Sequence, residues 1–296
     1  MNSRSRSTQD KFIAPLQKHP ANRVLEINYT YMALLSGFFI FILGAIAGSF
    51  LNVCIHRLPR DESIVSPPSH CPRCKTPLKP YDNVPIVSYL VLGGRCRSCR
   101  RRISPRYLVV ELLTAVCFLT LSLMFAHALP MMVTALVFVC SLIIVFFVDL
   151  EHQVIPDEIS LGGIAFGIAV SIVYPQLHET TSHGIALARS LEGLVTGGAL
   201  FWLVRIIGGK VFKKEALGFG DVKLIAAIGA LLGMPRILLT TFLAALIGSV
   251  IGLSLIAIGR AELGSRIPFG PFICLGAVIS FLYGNQFIAW YLSLLR

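Results

Sequence analysis

The chain has 296 residues, of which 55% are hydrophobic and only 14% are charged, and its mean hydropathy is +0.76. Because soluble globular proteins carry roughly 25% charged residues, this composition excludes a soluble enzyme and indicates an integral membrane protein. The formal net charge of +11 comes from 26 Lys and Arg against 15 Asp and Glu. We interpret this excess as a signal for membrane topology and not as a nucleic-acid-binding surface.

Eight apolar stretches are predicted to cross the membrane as helices, since each approaches the ~20 residues that a bilayer requires. The predicted fold is therefore all-α, and Gly-x-x-x-Gly spacings such as Gly44/Gly48 and Gly193/Gly197 predict close helix packing. The predicted spans are 29–54, 107–126, 131–149, 158–174, 184–209, 217–234, 237–258 and 269–292. In the sixth span, the bend at Gly218 and Gly220 shortens the helix by its first turn.

The predicted division of the chain follows from these spans and from one large polar loop. A polar, basic tail covers residues 1–28, a first transmembrane helix 29–55, a loop domain 56–106, and a helical bundle 107–296. The loop carries 11 of the 26 basic residues, whereas the opposite loops at 127–130 and 175–183 carry no Lys or Arg. Since cytoplasmic loops are enriched in Lys and Arg, the loop domain is predicted to be cytoplasmic and both termini to lie outside.

Two aspartates at predicted helix ends are the candidate catalytic residues. Asp149 ends the third span, and Asp221 opens the sixth span within the sequence Gly-Phe-Gly-Asp. An acidic residue at membrane depth is costly and therefore indicates function. Two carboxylates about 3 Å apart in a low dielectric share one proton, so that one can deprotonate water while the other polarises a peptide carbonyl. The predicted topology places both on the cytoplasmic side.

Four neighbouring residues are candidates for supporting this pair. Gly218 and Gly220 let the backbone bend and let another segment approach closely. Lys223 either holds Asp221 ionised or meets lipid headgroups, and the sequence does not separate these roles. Asp157 is the alternative partner for Asp221, although its position after a proline favours a helix N-cap.

Two Cys-x-x-Cys pairs in the polar loop indicate a metal site. Cys71 and Cys74 form the first pair, and Cys96 and Cys99 form the second. Four thiolates from two such pairs can converge as a tetrahedral structural zinc site, and no coordination position then remains for a catalytic water. The predicted cytoplasmic side disfavours disulfides. We therefore expect a structural zinc ion that organises the loop.

Further motifs extend this pattern over the chain from about residue 44 onward. They are GSFLNVCIHRLP at 48–59, NVPIVSY at 83–89, ISPRY at 103–107 and IPFGP at 267–271. Together with the aspartates and cysteines, they give a chain that resembles the type 4 prepilin leader peptidases, intramembrane aspartyl proteases with a Gly-x-Gly-Asp motif.

The resemblance implies a bacterial inner-membrane enzyme with periplasmic termini. Such an enzyme cuts the basic leader of type 4 prepilins or secretion pseudopilins on the cytoplasmic side, with Asp149 and Asp221 as the catalytic pair. Many members then methylate the new N-terminal amine with S-adenosylmethionine. Besides the substrate, membrane lipid is an expected partner and nucleic acid is not. Glu151 and Asp157 are candidates for recognising the basic leader.

Two other classes of function remain open at this point. A proton-coupled transporter would use intramembrane carboxylates as a relay, with the cysteine-rich loop as a regulatory zinc domain. Transport predicts polar residues at mid-depth on several spans, and few are found. A non-catalytic assembly factor of a pilus or secretion machine is the second alternative.

Overall fold

The computed structural model describes residues 20–212, 217–260, 262 and 267–295. Within these residues the secondary structure is helical, apart from two isolated β-bridges in the polar loop. The long helices are α1 (Pro20–Arg57), α2 (Arg106–Met124), α3 (Leu129–His152), α4 (Asp157–Val173), α5 (His183–Phe212), α6 (Phe219–Leu232), α7 (Met234–Ala257) and α8 (Gly270–Leu294). Shorter helical turns cover Leu58–Arg60, Pro80–Asp82, Val87–Val91 and Pro175–His178.

The all-α fold is confirmed, and each predicted span corresponds to one of these helices. Six of them, α1, α2, α3, α5, α7 and α8, are long and apolar enough to cross a membrane. Helices α4 and α6 have only 17 and 14 residues, or about 26 and 21 Å at 1.5 Å per residue. Since the hydrocarbon core is about 30 Å thick, the count of eight spans stays a prediction.

The first helix begins earlier than the sequence pattern predicts. Its backbone is helical from Pro20, whereas the predicted span starts at Tyr29. The polar residues before the apolar run therefore extend the helix beyond the length that a bilayer needs. Residues 1–19 of the predicted polar tail lie outside the described residues.

Helix α6 lies at the centre of the bundle and packs against α4, α5, α7 and α8. From Leu224 to Leu232 every residue is buried, which explains why this short helix is apolar all round. A Cβ atom added to Gly193 on α5 would lie 2.1 Å from the carbonyl oxygen of Gly229 on α6. The predicted close packing at glycine pairs is thus confirmed, because only glycine allows these two backbones to touch.

The other main helix pair is α1 with α2. Cβ atoms added to Gly44 and Gly48 would lie 2.7 Å from the Cα atoms of Ala115 and Glu111. This contact joins the C-terminal end of α1 to the N-terminal end of α2, and the polar loop lies between those two ends. The packing of α1 against α2 therefore sets the position of the cysteine-rich loop.

Candidate active site

Asp149 lies near the C-terminal end of α3, three residues before the helix ends. It is only 6% exposed, and its Oδ2 accepts a hydrogen bond from the backbone N–H of Gly270 at 2.9 Å. Gly270 is the first residue of α8, so the carboxylate meets the positive end of that helix dipole. A Cβ atom on Gly270 would lie 2.7 Å from the same Oδ2. The glycine is therefore needed for this contact.

Asp221 lies in the first turn of α6 and is 9% exposed. Its Oδ2 accepts a hydrogen bond from the backbone N–H of Gly218, the N-cap residue, at 3.2 Å. Gly220 lies against the loop before α4, where an added Cβ would be 3.0 Å from the Cβ of Ile155. Gly220 thus allows the close approach that the sequence predicts, whereas Gly218 has a φ of −68° that any residue adopts.

The structure brings the two aspartates to the same end of the bundle. Their carboxyl groups lie within electrostatic range of each other. Helix α8 packs against both α3 and α6, and its Cys274, which is 3% exposed, lies within electrostatic range of both carboxylates. The result is a pair of buried carboxylates from separate helices, each held by a backbone amide.

Asp157 and Lys223 form an ion pair beside this site. Lys223 Nζ donates hydrogen bonds to both carboxylate oxygens of Asp157, at 2.7 and 2.8 Å. The ion-pair partner of Lys223 in the structure is thus Asp157, and the two roles predicted for Lys223 stay predictions. Asp157 is the first residue of α4, and the N-cap is Pro156, so the predicted cap at Asp157 was wrong by one residue. The pair fastens α4 to α6 next to Asp221.

Glu151 also has a basic partner. Its carboxylate forms an ion pair with Arg106 at the N-terminal end of α2. Both carboxylates that the sequence offered for leader recognition are therefore already paired within the chain. The Arg106 contact connects the end of α3, two residues beyond Asp149, to the segment that follows the cysteine-rich loop.

The four loop cysteines converge on one point. The sulfurs of Cys71 and Cys99 are 3.9 Å apart, and those of Cys74 and Cys96 are 4.0 Å apart. All four sulfurs lie within 4.8 Å of one another. Because Zn–S bonds of about 2.3 Å in a tetrahedron separate the sulfurs by about 3.8 Å, this geometry fits a tetrahedral metal ion. The distances are far from the ~2.05 Å of a disulfide.

The two halves of the cluster have the same backbone hydrogen bonds, a local repeat that the sequence pattern does not reveal. The amide of Cys71 donates to Thr76 O at 3.0 Å, and the amide of Cys96 donates to Arg101 O at 2.9 Å. Hydrogen bonds with Thr76 lower the pKa of Cys74 to about 6. Because the thiolate is the form that binds metal, this contact increases the fraction of Cys74 that is ready to bind a cation.

One contributor to the site was missed by residue-by-residue sequence reasoning. The amide of Gly270 holds Asp149, although the two residues are 121 positions apart. The sequence feature that could have located Gly270 is the motif IPFGP, because Pro271 at the second position of α8 marks the start of a helix. The motif contributes to the family resemblance, but by itself it does not indicate which side chain the glycine amide contacts.

Comparisons with known proteins match this arrangement over most of the chain. Residues 42–125 match the Bacterial Peptidase A24 N-terminal domain, and residues 136–253 match the Type IV leader peptidase family. No solved structure gives a significant match.

Several curated proteins named prepilin leader peptidase/N-methyltransferase are similar to this chain. The protein from Aeromonas hydrophila is 33% identical over 282 residues, which cover 86% of this chain and 93% of that protein. The protein from Myxococcus xanthus is 40% identical over 232 residues, covering 78% and 67%. The protein from Bacillus subtilis is 33% identical over 255 residues, covering 86% and 97%. On these matches, the chain belongs to the type IV leader peptidase family.

Proposed function

We propose that this chain removes the basic leader of prepilins or pseudopilins and then methylates the new N-terminal amine. The single observation that carries the peptidase activity is that the carboxyl groups of Asp149 and Asp221, from separate helices, are both buried at the same end of the bundle. Family membership and the relatives' names support the same activity. The six helices of spanning length and the family make the protein a multi-pass inner-membrane protein.

The proposed cleavage needs no covalent intermediate. The ionised carboxylate takes a proton from water, whose oxygen forms a bond to the scissile carbonyl carbon, while the protonated carboxylic acid donates a hydrogen bond to the carbonyl oxygen. The C–N bond then breaks, and the leaving nitrogen receives a proton from the pair. The amides of Gly218 and Gly270 keep the carboxylates in place during these steps.

The proposed orientation places the aspartates at the cytoplasmic face. The cysteine-rich loop lies on the same side as the aspartates, because Arg106 at its end pairs with Glu151. The basic residues of this loop support a cytoplasmic location. Both termini are then periplasmic, and a prepilin leader on the cytoplasmic side reaches the pair directly.

Two further groups complete the proposal. A zinc ion held by Cys71, Cys74, Cys96 and Cys99 is structural, since four protein ligands leave no site for water. S-adenosylmethionine is the methyl donor. When bound, it would supply an electrophilic methyl group to the neutral N-terminal amine, whose displaced proton would pass to water. The family match does not support the transporter alternative.

The decisive experiment replaces each carboxylate by its isosteric amide. Asp149→Asn and Asp221→Asn should each lower the rate of leader cleavage at least about a hundredfold, because an amide cannot exchange the proton. Cleavage of a purified prepilin is measured with detergent-solubilised enzyme. The control is Asp61→Asn, an exposed residue in the loop, which should cleave normally. Substantial cleavage by either active-site variant rules out the pair.

A further inference from the structure

The short helix Val87–Val91 in the cysteine-rich loop carries its apolar side chains on the outside. Val87, Leu90 and Val91 are 56%, 62% and 76% exposed, and their spacing places them on one face of the helix, which we call the outer face. The opposite side, with Tyr89, lines a cavity between the loop and the ends of α1 and α2. A helix that faces water has the reverse arrangement, with its polar residues outside.

A hydrogen bond fixes this helix at the depth of the first turns of α2. The backbone N–H of Ile86, directly before the helix, donates to the carboxylate of Glu111 at 2.7 Å. Glu111 is buried and lies five residues after Arg106, the start of α2, which is about 7.5 Å along the axis. Since α2 has 19 residues and is only about 28 Å long, all of it is needed to cross a hydrocarbon core of about 30 Å. The bond therefore holds the short helix near the boundary between headgroups and acyl chains.

The neighbouring side chains of α2 agree with this depth. Those around the Glu111 carboxylate are exposed and apolar, namely Val109, Leu112 and Leu113. Arg106 and Tyr107, about one turn earlier, are residue types that are typical of helix ends at the membrane–water interface. The outer face is thus level with the place where α2 begins to face lipid.

The backbone before the short helix is strained. Ile86 has φ 62° and ψ −54°, a region that is rare for a β-branched residue. The N–H of Val87 closes a γ-turn onto the carbonyl oxygen of Pro85 at 2.5 Å. Strained backbone persists only where its surroundings impose it, and here the Glu111 carboxylate holds the turn. The turn lies within the NVPIVSY motif at 83–89, and it sets the direction in which the outer face points.

The charge of the loop is complementary to an anionic surface. Residues 56–106 contain 11 Lys and Arg but only three acidic residues. Arg95, four residues after Val91, is exposed and forms a β-bridge with Arg102, so that two basic residues follow the end of the short helix. Anionic phospholipids attract such residues to the headgroups, while apolar side chains beside them enter the acyl boundary. Depth and charge together favour lipid over a protein from the aqueous phase.

We propose that the outer face of the helix Val87–Val91 inserts into the bilayer interface and anchors the cysteine-rich loop to anionic phospholipid. The three apolar side chains enter the boundary of the acyl chains, and Arg95 contacts the headgroups. The loop is thereby held against the membrane beside the ends of α1 and α2. This anchor does not depend on the reaction proposed for the aspartate pair.

Photocrosslinking of the full-length protein to lipid tests the anchor. The photoreactive residue p-benzoylphenylalanine replaces Val91, and the protein is placed in nanodiscs of phosphatidylethanolamine and phosphatidylglycerol with radiolabelled acyl chains. The matched control places the same photoreactive residue at Val65, a valine of the same loop that is 85% exposed. Zinc content equal to that of the wild type shows that the loop is folded in both variants.

The control position lies farther from the membrane than the outer face. The guanidinium of Arg57 donates hydrogen bonds to carbonyl oxygens of residues 63–67, the segment that contains Val65, at 2.8 and 2.6 Å. Arg57 lies nine residues after Gly48, or about 13.5 Å along α1. Gly48 packs against Glu111, the residue that holds the short helix. Val65 is therefore tied to a level well outside that of Glu111.

The label should reach acyl chains at least about fivefold more strongly from position 91 than from position 65, because only position 91 meets the acyl boundary. Equal labelling from both positions overturns the inference. Crosslinks from position 91 that join two copies of the chain instead of lipid overturn it as well. Since no substrate is used, failure of the anchor is distinct from a loss of leader cleavage.

Leu90→Asp tests the anchor by charge. A carboxylate at this depth opposes insertion and repels anionic headgroups, so labelling from position 91 should fall at least about threefold in this background. Undiminished labelling in a Leu90→Asp protein with wild-type zinc content overturns the inference. If Leu90→Asp loses its zinc, the comparison of position 91 with position 65 decides the question alone.

Discussion

Backbone amides hold both carboxylates of the candidate active site. Asp149 binds the amide of Gly270, and Asp221 binds the amide of Gly218. A buried carboxylate needs such hydrogen bonds to offset its loss of hydration. Because a backbone amide cannot rotate away as a side chain can, the two carboxylates keep a fixed relative geometry. This preorganisation is what a proton-sharing pair requires.

The substitution Gly270→Ala tests the contact between the Gly270 amide and Asp149 by adding one methyl group. The added Cβ would lie 2.7 Å from Asp149 Oδ2, so the carboxylate has to move. Leader cleavage should fall at least roughly tenfold, mainly in kcat, because the substrate contacts remain while the pair is misplaced. The control is Gly184→Ala, where no described atom lies within 4 Å of the added Cβ. Steady-state kinetics on a prepilin measure both, and unchanged kcat in Gly270→Ala would contradict the role of this contact.

At the scale of the element, α6 differs from the other helices. It is only 14 residues long, it is buried from Leu224 to Leu232, and Gly233 alone connects it to α7. The φ of Gly233 is +78°, which favours glycine and permits this one-residue turn. Since protein surrounds it, α6 carries Asp221 on a rigid support although it is short for a bilayer.

Gly229→Ala should disturb that support. The added Cβ would lie 2.2 Å from the carbonyl oxygen of Gly193, so α5 and α6 have to separate. We expect the midpoint of thermal unfolding in detergent to fall by roughly 5 °C or more, together with a loss of leader cleavage. Gly162→Ala on α4 is the control, because its added Cβ meets no described atom within 4 Å. Equal unfolding midpoints for the two variants would refute the tight α5–α6 contact.

The cysteine-rich loop is ordered by hydrogen bonds between its segments and by its four cysteines. Its two Cys-x-x-Cys segments share one backbone hydrogen-bond pattern. Arg97, which lies in the second segment, joins it to the turn at Pro80–Asp82 through hydrogen bonds to Asp82 at 2.7–3.0 Å. Arg97 accordingly lowers the pKa of Asp82. The loop has few buried apolar residues, so a metal ion is the main constraint available to order it.

Cys71→Ser should remove this constraint. Bound zinc, measured by elemental analysis of the purified protein, should fall from about one ion per chain towards zero, because three thiolates bind zinc far more weakly than four. Cys140→Ser is the control, since Cys140 lies in α3 outside the cluster and should leave the zinc content unchanged. Undiminished zinc in Cys71→Ser would reject the cluster.

At the scale of the whole molecule, the two ends of the bundle differ in chemistry. One end holds the aspartate pair and the cysteine-rich loop. At the other end, Arg236 of α7 binds Asn285 of α8 at 2.8 Å and Glu179 of the α4–α5 connection at 3.5 Å. The contacts of this second end join α7, α8 and the α4–α5 connection to each other.

The proposed orientation predicts which end faces the cytoplasm. A protease recognition sequence inserted between Thr181 and Ser182 should be cut when protease is added to spheroplasts, because that connection is expected in the periplasm. The same sequence inserted between Glu62 and Ser63 should be cut only after lysis. Both insertion points are exposed, so accessibility reports the side of the membrane. The reverse pattern would invert the orientation.

The sequence by itself determined the membrane class and the all-helical fold, and it singled out the aspartates and cysteines that the structure brings together. Each depends on local information: hydropathy over about 20 residues, a Cys-x-x-Cys spacing, or an acidic residue in an apolar setting. Helix ends were less well predicted, as the early start of α1 and the cap at Pro156 illustrate. Polar residues continue a helix without a change that hydropathy can detect.

Only the tertiary structure decided which groups meet. The Gly270 amide on Asp149 and the Lys223 pair with Asp157 across 66 positions both join helices that are distant in the chain. Such contacts depend on the rotation and depth of each helix, which are set by packing at glycine pairs such as Gly193 and Gly229. Hydropathy carries no information on rotation when a helix is apolar on every side, as α6 is.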